Sequence, residues 1–382
     1  MPRPLALLVL ALCAAPALGQ QPPEAAEATM DFELYDPPST LVVPENPRPA
    51  AQYPFVDVHN HQWTMPTDDL DATVAEMDAL NMAVMVNLSG RLTFGGRDGQ
   101  AHLEGCLETV AEHHPERFLV FTNLDYSGLD EPGWGERSAE QIAADVALGA
   151  AGLKIYKGLG MSVVDGAGER LPVDDARLDP IWARCGELGI PVLIHTADPA
   201  PFWEPWDETN ERWLELKQRP NRKRDPETEP SWEELLAEQH RVFARHPGTT
   251  FINAHLGWLG NDLGRLGALL DRYPNVVTEI GAVLAELGRQ PRTARAFLEA
   301  YQDRVLFGKD AWTPSEYPVY FRVLETDDEY FPYYRRRHAF WRMYGLDLPD
   351  IVLRKLYYGN ALRLFPQLDA SRFPPVEGFG ER

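Results

Sequence analysis

The chain has 382 residues, of which 44% are hydrophobic, and a formal net charge of −22. This length can bury a large core and suits one domain of about 250–300 residues with extensions. The strong negative charge argues against nucleic acids and anionic membrane surfaces as partners, because both would repel the protein.

The first residues predict an export signal. Residues 1–3 form a short basic start, and residues 5–17 form an apolar run that leads to small side chains of the kind a signal peptidase requires. The run is too short to span a bilayer. We therefore expect residues 1–19 to be a cleaved signal peptide and the protein to be periplasmic or secreted, without stable membrane insertion. The alternatives are a retained anchor and a lipid anchor on Cys13, which follows Leu12 where a small residue is needed.

The segments at either end of the main domain lack a steady periodicity. Residues 20–52 are rich in Pro, Glu and Ala, which predicts an extended linker or N-terminal arm, and residues 369–382 predict a similar tail. Two later cysteines, Cys106 and Cys185, lie in helix-like stretches. They are too few for a disulfide framework and predict buried free thiols, with a single bridge as the alternative.

Residues 53–368 alternate between short apolar stretches and helical patterns. The stretches predict eight strands, at 55–61, 82–88, 118–123, 152–157, 191–195, 250–255, 276–280 and 305–310. Helical spacing of apolar residues predicts helices at 68–80, 103–113, 139–148, 178–188, 232–245, 262–273 and 293–301, and a closing helix at 349–364.

Buried-type strands that alternate with helices predict an α/β fold with parallel pairing. Eight such units close most naturally into a (β/α)8 TIM barrel. The alternative is a doubly wound open sheet, which would more often carry a glycine-rich phosphate turn after its first strand. The sequence shows no such turn.

Histidines follow several of the predicted strands, where a barrel places its active site. Four of the ten histidines lie there, namely His59, His61, His195 and His255, and Asp310 follows the eighth strand. Side chains two residues apart in a strand share a face, so His59 and His61 can bind one metal ion. The alternative to a metal site is a strand end with two solvated histidines.

Two further strand ends carry ionisable residues. The fourth strand has Lys154 and Lys157, which either contact a metal or substrate or extend from a strand end to solvent. Glu279 lies in the seventh strand, and for it we expect an ion pair with an arginine or lysine.

The arrangement of these residues is similar to that of the amidohydrolase superfamily. His-x-His follows strand one, single histidines follow strands five and six, and aspartate follows strand eight. The phrases at 191–195, 251–257, 306–310 and 359–364 resemble the amidohydrolase-related branch. That branch contains metal-dependent hydrolases and nonoxidative decarboxylases such as aminocarboxymuconate-semialdehyde decarboxylase.

This resemblance implies that His59, His61, His195 and Asp310 hold a divalent metal, most often zinc. Three imidazoles and a carboxylate suit zinc, with a water as the reactive ligand. Such a water ionises near neutral pH and becomes a hydroxide nucleophile, and Asp310 would be its general base.

The resemblance also gives roles to two other residues. His255 would polarise the scissile carbonyl, shuttle the proton or ligate a second metal. Lys154 is similar to strand-four lysines that are carboxylated and bridge two metals in some branches, whereas the decarboxylase-like branch usually has one metal and no bridge.

Loops after the strands are expected to shape the pocket. Arg91, in a glycine-rich loop, is suited to clamping a substrate carboxylate, with a flexible surface loop as the alternative. Trp63, Trp258 and Trp312 lie just past strand ends. Further rings follow in the segment after strand eight, including Tyr317, Tyr320 and Phe321. These aromatic residues favour a flat, aromatic or sugar-like small molecule, or the contact surface of a homodimer.

The sequence therefore predicts an exported, metal-dependent hydrolase that cleaves an ester, lactone or amide of a small organic molecule. The first alternative is a nonoxidative carboxy-lyase of an aromatic or unsaturated carboxylic acid at the same metal site. The second is a barrel that binds ligands without catalysis. Export favours the hydrolase, because decarboxylases of central metabolism are usually cytoplasmic.

Overall fold

The computed structural model describes residues 30–93, 96–335 and 341–376. The chain divides into two units, Met1–Val42 and Val43–Arg382. In the first unit the described residues contain one short 3₁₀ turn, Phe32–Leu34. The predicted signal peptide, residues 1–19, lies outside the described residues.

The second unit is built on nine short parallel strand segments. They are β1 (Phe55–Asn60), β2 (Met82–Asn87), β3 (Phe118–Val120), β4 (Thr122–Asn123), β5 (Leu153–Ile155), β6 (Val192–Ile194), β7 (Phe251–Asn253), β8 (Val276–Glu279) and β9 (Val305–Leu306). Each pairs in parallel with its neighbour in the chain, except that β3 and β4 are the two halves of one predicted strand. All eight predicted strands are therefore present.

Backbone hydrogen bonds close these strands into a barrel. The N–H of Phe121, between β3 and β4, donates to the Asn87 carbonyl at 2.9 Å, which continues the sheet across the break. At the other seam, Val58 of β1 donates to the carbonyl of Phe307, just after β9, at 3.0 Å. The predicted (β/α)8 barrel is thus confirmed, with the first strand beside the last.

Helices follow the strands around the barrel. They are α1 (Leu70–Ala79), α2 (Gly99–His113), α3 (Trp134–Leu148), α4 (Asp179–Leu188), α5 (Trp213–Gln218), α6 (Trp232–Arg245), α7 (Leu263–Arg272), α8 (Leu284–Arg289), α9 (Pro291–Ala300), α10 (Tyr317–Glu325), α11 (Asp350–Arg354) and α12 (Asn360–Leu364). A π turn, Lys355–Gly359, joins the last two. An antiparallel hairpin pairs β10 (Phe331–Pro332) with β11 (Arg342–Met343). Among the described helices, none combines the length and the apolar character needed to cross a bilayer.

Local sequence signals set where several of these helices begin and end. The Asp98 carboxylate accepts hydrogen bonds from the first backbone N–H groups of α2, and the Ser231 hydroxyl does the same for α6. Such caps satisfy donors that have no partner within the helix. At the end of α4, Gly189 adopts a left-handed φ of 66°, which glycine tolerates without strain.

Aromatic rings fill the seam between the first and last strands. The ring of Phe55 lies 4.8 Å from that of Phe307 and 5.4 Å from that of Phe321, between ring centroids. Tyr317, Tyr320 and Phe321 are buried on α10 against this seam. The expectation that these three residues line the mouth of the pocket or form a dimer surface is therefore wrong. Their helical spacing places them on one apolar face, which the seam covers.

Both described cysteines are free and buried, as predicted. Cys106 lies on α2 and Cys185 on α4. Burial raises the pKa of each thiol to about 12, so both thiols stay protonated at neutral pH.

Phe307→Ala tests the importance of the seam. The variant should lower the free energy of unfolding by about 3–5 kcal/mol, because it removes a large buried ring and leaves a cavity. Urea denaturation measures this difference. Leu148→Ala is the control, since Leu148 is 49% exposed, and it should change stability by about 0.5 kcal/mol or less. Equal effects of the two variants would contradict the assigned seam.

Candidate metal centre

Two histidines and one aspartate converge at the carboxyl ends of the barrel strands. The Nε2 atoms of His59 and His61 lie 3.2 Å and 3.7 Å from Oδ1 of Asp310. The ligand atoms of all three residues lie within 4.8 Å of one another. The structure thus brings together residues that are about 250 positions apart in the sequence.

The backbone fixes the position of Asp310. Its N–H donates to the carbonyl of His59 at 2.6 Å, directly across the seam. Asp310 adopts a left-handed φ of 83°, so the predicted strand at 305–310 does not continue to its end. This turn directs the carboxylate towards the imidazoles.

The remaining ring nitrogens of the two histidines are held by other side chains. Nδ1 of His59 lies 2.9 Å from Oε1 of Glu279, and Nδ1 of His61 lies 2.7 Å from Oγ of Ser89. A carboxylate accepts hydrogen bonds only, so Glu279 fixes a proton on Nδ1 of His59 and leaves the lone pair of Nε2 for a cation. Outer hydrogen bonds of this kind orient histidines that bind metals.

The Ser89 hydroxyl continues this network to Tyr156. The two hydroxyl oxygens lie 2.9 Å apart, and the Tyr156 hydroxyl also donates to the carbonyl of Leu88 at 3.1 Å. Since the tyrosine proton is then used, Ser89 donates to Tyr156 and is left to accept from Nδ1 of His61. Like His59, His61 therefore presents Nε2 as a lone pair.

Lys154 lies beside the converging residues. It is 1% exposed on β5, and its Nζ atom is 3.5 Å from Nε2 of His59. Burial lowers the pKa of Lys154 to about 8, although the carboxylates of Asp310 and Glu279 act in the opposite direction. The other lysine of the predicted strand, Lys157, instead forms an ion pair with Asp198 at 2.6 Å.

The other two predicted histidines stack against this set. The His255 ring lies 4.8 Å from the His59 ring and 4.5 Å from the His195 ring, between centroids. Nε2 of His195 is buried and forms no hydrogen bond with a described residue. His195 lies outside the group of ligand atoms within 4.8 Å of one another, which His59, His61 and Asp310 form.

His255 is held as a proton acceptor. Its Nδ1 atom lies 2.8 Å from the carbonyl oxygen of Gly281, so Nδ1 carries a proton and donates it. Burial lowers the pKa of His255 to about 4, which keeps Nε2 unprotonated at neutral pH. Desolvation would raise the pKa of Asp310, but the neighbouring imidazoles, His59 above all, hold it well below its usual range.

A left-handed turn carries His255 to this position. The residues from His255 to Trp258 have φ angles of 58°, 54°, 60° and 56°. Only Gly257 adopts such a conformation without strain, and each of the others costs on the order of 1–3 kcal/mol. The predicted strand at 250–255 therefore ends early, at Asn253, and the turn lifts the histidine out of the strand.

Glu279 corrects one expectation from the sequence. We expected an ion pair with an arginine or lysine, but the carboxylate binds Nδ1 of His59 and the backbone N–H groups of His255 and Gly281. Burial would raise the pKa of Glu279. The electrostatic interaction with His59 and these hydrogen bonds outweigh burial and lower the pKa of Glu279 to about 2. His59, His255 and Glu279 also form a second cluster of possible ligands, but hydrogen bonds already use the atoms concerned.

The donor set fits a divalent cation. The Nε2 atoms of His59 and His61 lie beside one carboxylate oxygen of Asp310. The half-buried imidazole of His195 has a buried Nε2 atom without a partner among the described residues. Buried polar atoms without a partner are costly, and a cation bound to Nε2 of His195 would remove that cost.

Two of the predicted substrate-binding tryptophans flank the histidines. Trp63 stacks on His61 with ring centroids 4.7 Å apart and remains 43% exposed. Trp258 packs on His255 at 4.6 Å. Trp312 is half-buried and packs on Tyr317 of α10 instead.

Arg91 is held inside the protein rather than presented to a ligand. Its Nη1 atom donates to Gln100 of α2 at 2.6 Å and to Asp145 of α3 at 3.1 Å. Asp145 is buried, so this ion pair anchors the loop to the two helices. Since Nη1 of Arg91 is used by Gln100 and Asp145, these contacts argue against the predicted binding of a substrate carboxylate by Arg91.

Sequence reasoning missed a buried carboxylate beneath the site. Asp57 of β1 accepts hydrogen bonds from the Tyr317 hydroxyl at 2.6 Å, the Asn60 amide at 2.9 Å and the backbone N–H groups of His59 and Lys309 at 3.1 Å each. The available signal was a charged residue in the middle of an apolar strand, which must find partners when it is buried.

Comparison with known protein families identifies the family of this chain. A family model described as amidohydrolase matches residues 56–367. The chain therefore belongs to the amidohydrolase family and is a metal-dependent enzyme of that superfamily. The comparison with curated proteins finds no match.

Several solved structures are similar to this chain. 2,6-Dihydroxybenzoate decarboxylase from Rhizobium is 19% identical, with 82% of this chain and 99% of that chain covered and a TM-score of 0.52. 5-Carboxyvanillate decarboxylase from Sphingomonas paucimobilis is 17% identical, with 78% and 83% covered and a TM-score of 0.48. 4-Oxalomesaconate hydratase from Rhodopseudomonas palustris is 16% identical, with 83% and 97% covered and a TM-score of 0.49. At 19% identity, the likeness to the Rhizobium enzyme shows the fold alone.

His59→Ala and His61→Ala test the metal centre. Each variant should weaken zinc affinity by about 100-fold or more, because loss of a direct ligand should exceed the 10–100-fold cost of losing an outer partner. Competition with a chromogenic chelator measures the affinity. His114→Ala is the control, since His114 lies on the surface and pairs with Asp71. Unchanged affinity in either of the first two variants would contradict the assigned centre.

Proposed function

We propose that the protein is a metal-dependent hydrolase that cleaves an ester, lactone or amide bond of a small organic molecule. One observation carries the proposal. The Nε2 atoms of His59 and His61 and the carboxylate of Asp310 converge on one point, beside His255, whose proton lies on Nδ1. A site with two proton acceptors next to a cation position suits the activation of water.

His59, His61, His195 and Asp310 would hold the cation. Three imidazoles and one carboxylate favour zinc, and we propose a single ion because Glu279 and the Nδ1 atoms around it are used in hydrogen bonds. When bound, the cation supplies Lewis acidity, which brings the pKa of water to about 7 and polarises a substrate oxygen.

Asp310 and His255 would move the protons. Asp310 is half-buried and ionised, so its second oxygen can accept a proton from water and pass it to the leaving group. His255 keeps Nε2 free as a second acceptor, and its Nδ1–H bond to Gly281 prevents the ring from turning. Trp258 covers the His255 ring on one side.

The aromatic residues favour a planar substrate. Trp63 is exposed and stacked on His61, so its outer face can bind a flat ring or lactone at the mouth of the site. Trp258 contributes a second ring on the side of His195. A flat aromatic or unsaturated small molecule fits these surfaces best.

Lys154 favours a second candidate reaction on the same scaffold. Its buried ammonium group lies 3.5 Å from Nε2 of His59, where it could bind a substrate carboxylate or donate a proton to carbon. A nonoxidative carboxy-lyase needs a proton donor beside its metal, and Lys154 could fill that role. We rank hydrolysis first because His255 and Asp310 both act as acceptors, whereas decarboxylation needs a donor. The metal-bridging role predicted for Lys154 needs two ions, so it is not part of this proposal and stays a prediction.

Export and assembly are proposals from the sequence. The N-terminal residues that favour a periplasmic or secreted location lie outside the described residues. A homodimer stays a prediction, which light scattering after size-exclusion chromatography would test.

The two candidate reactions can be separated with one panel of compounds. The zinc-loaded protein is incubated with aromatic lactones, esters, amides and carboxylic acids, and ring opening or hydrolysis is followed in parallel with CO2 release. Hydrolysis without CO2 release supports the proposal. CO2 release without hydrolysis would replace it with the carboxy-lyase.

Asp310→Asn tests the assignment of the general base. At saturating zinc, kcat should fall by at least about 100-fold, because the amide cannot accept the proton. Asp71→Asn is the control, since Asp71 is a surface residue that pairs with His114, and its rate should match that of the unaltered protein. An unchanged kcat in the Asp310→Asn variant would contradict the assignment of Asp310 as the general base.

A further inference from the structure

Glu279 contacts both His59 and His255, on the side of His59 that faces away from Asp310. Its side chain is fully buried at the end of β8. Oε1 binds Nδ1 of His59 at 2.9 Å and the N–H of His255 at 2.6 Å, and Oε2 binds the N–H of Gly281. One carboxylate therefore contacts two strand ends and its own loop.

The same loop holds His255 from two sides. The backbone N–H of His255 donates to Glu279, and the ring Nδ1–H donates to the carbonyl of Gly281, two residues later. Because His255 has a left-handed φ of 58°, its conformation is strained and needs such contacts to persist. Breaking the carboxylate contact would let the turn relax and carry the ring away.

The surrounding backbone is shaped to receive this carboxylate. A Cβ atom at Gly308 would lie 2.5 Å from Oε2 of Glu279 and 2.9 Å from Cβ of His59. A Cβ atom at Gly281 would lie 2.6 Å from the same oxygen. Real side chains avoid such distances, so glycine at both positions leaves room for the carboxylate.

We infer that Glu279 is a positioning residue that couples cation binding by His59 to the placement of His255. It acts on His59 by fixing the Nδ1–H tautomer, which leaves Nε2 for the cation. It acts on His255 by holding the left-handed turn. The inference rests on the proposed function, because it takes His59 as a ligand and His255 as a proton acceptor.

Zinc affinity provides the first test, measured by chelator competition on the full-length protein. Glu279→Gln keeps the size of the side chain but places an NH2 group against donors, and Glu279→Asp keeps the charge but withdraws it by one methylene. Both variants should bind zinc about 10–100-fold more weakly. Glu238→Gln is the matched control, because Glu238 is 2% exposed and its carboxylate binds Arg170 and the N–H of Val173 rather than a histidine. Its zinc affinity should be unchanged.

Histidine NMR provides the second test and needs no substrate. In the zinc-loaded protein labelled with 15N-histidine, both His59 and His255 should carry their proton on Nδ1. The Glu279 variants should shift the resonances of both rings, and Glu238→Gln should shift neither. A purely structural loss would instead lower stability without moving these two rings together.

Three results would overturn the inference: wild-type zinc affinity in both Glu279 variants, a shift confined to one of the two rings, or an Nε2–H tautomer for His59 in the unaltered protein. The last measurement uses no variant, so misfolding of Glu279→Gln leaves the inference testable. Failure of the hydrolase assay would affect neither the zinc affinity nor the tautomers, so the two proposals fail separately.

Discussion

The hydrogen bond from the N–H of Asp310 to the carbonyl of His59 is the contact on which the site depends. At 2.6 Å it joins the end of the last barrel strand to the end of the first. Barrel closure and assembly of the donor set are therefore one event. A chain that failed to close the seam between Phe55 and Phe307 would also separate the imidazoles from the carboxylate.

The site contains buried ionised side chains, and hydrogen bonds from neighbouring groups compensate for the loss of their hydration. Glu279, Asp57 and Asp145 are all buried carboxylates, and each accepts several hydrogen bonds from nearby donors. An unpaired buried charge would cost several kcal/mol, whereas a fully hydrogen-bonded one can be tolerated. Glu279 and Asp57 thus hold His59 in place, and Asp145 holds the loop that carries Arg91.

The sequence was sufficient to predict the barrel, because buried parallel strands and amphipathic helices have different periodicities. The resemblance to the amidohydrolases added the prediction that His59, His61, His195 and Asp310 meet at the strand ends. The structure brings His59, His61 and Asp310 together, and His195 lies outside that group. It could not predict the left-handed turn at His255, which is held by tertiary contacts and occurs mainly at residues other than glycine. Nor could it predict that Glu279 binds the backbone N–H of His255 or that Arg91 turns towards Asp145, since these partners are 24 and 54 residues apart in sequence.

A crystal structure of the zinc-soaked protein, with anomalous diffraction recorded at the zinc edge, tests the central claim most directly. The account predicts one strong anomalous peak within about 2.0–2.2 Å of Nε2 of His59, Nε2 of His61 and a carboxylate oxygen of Asp310. A strong peak elsewhere in the protein, with none between these three residues, would contradict it.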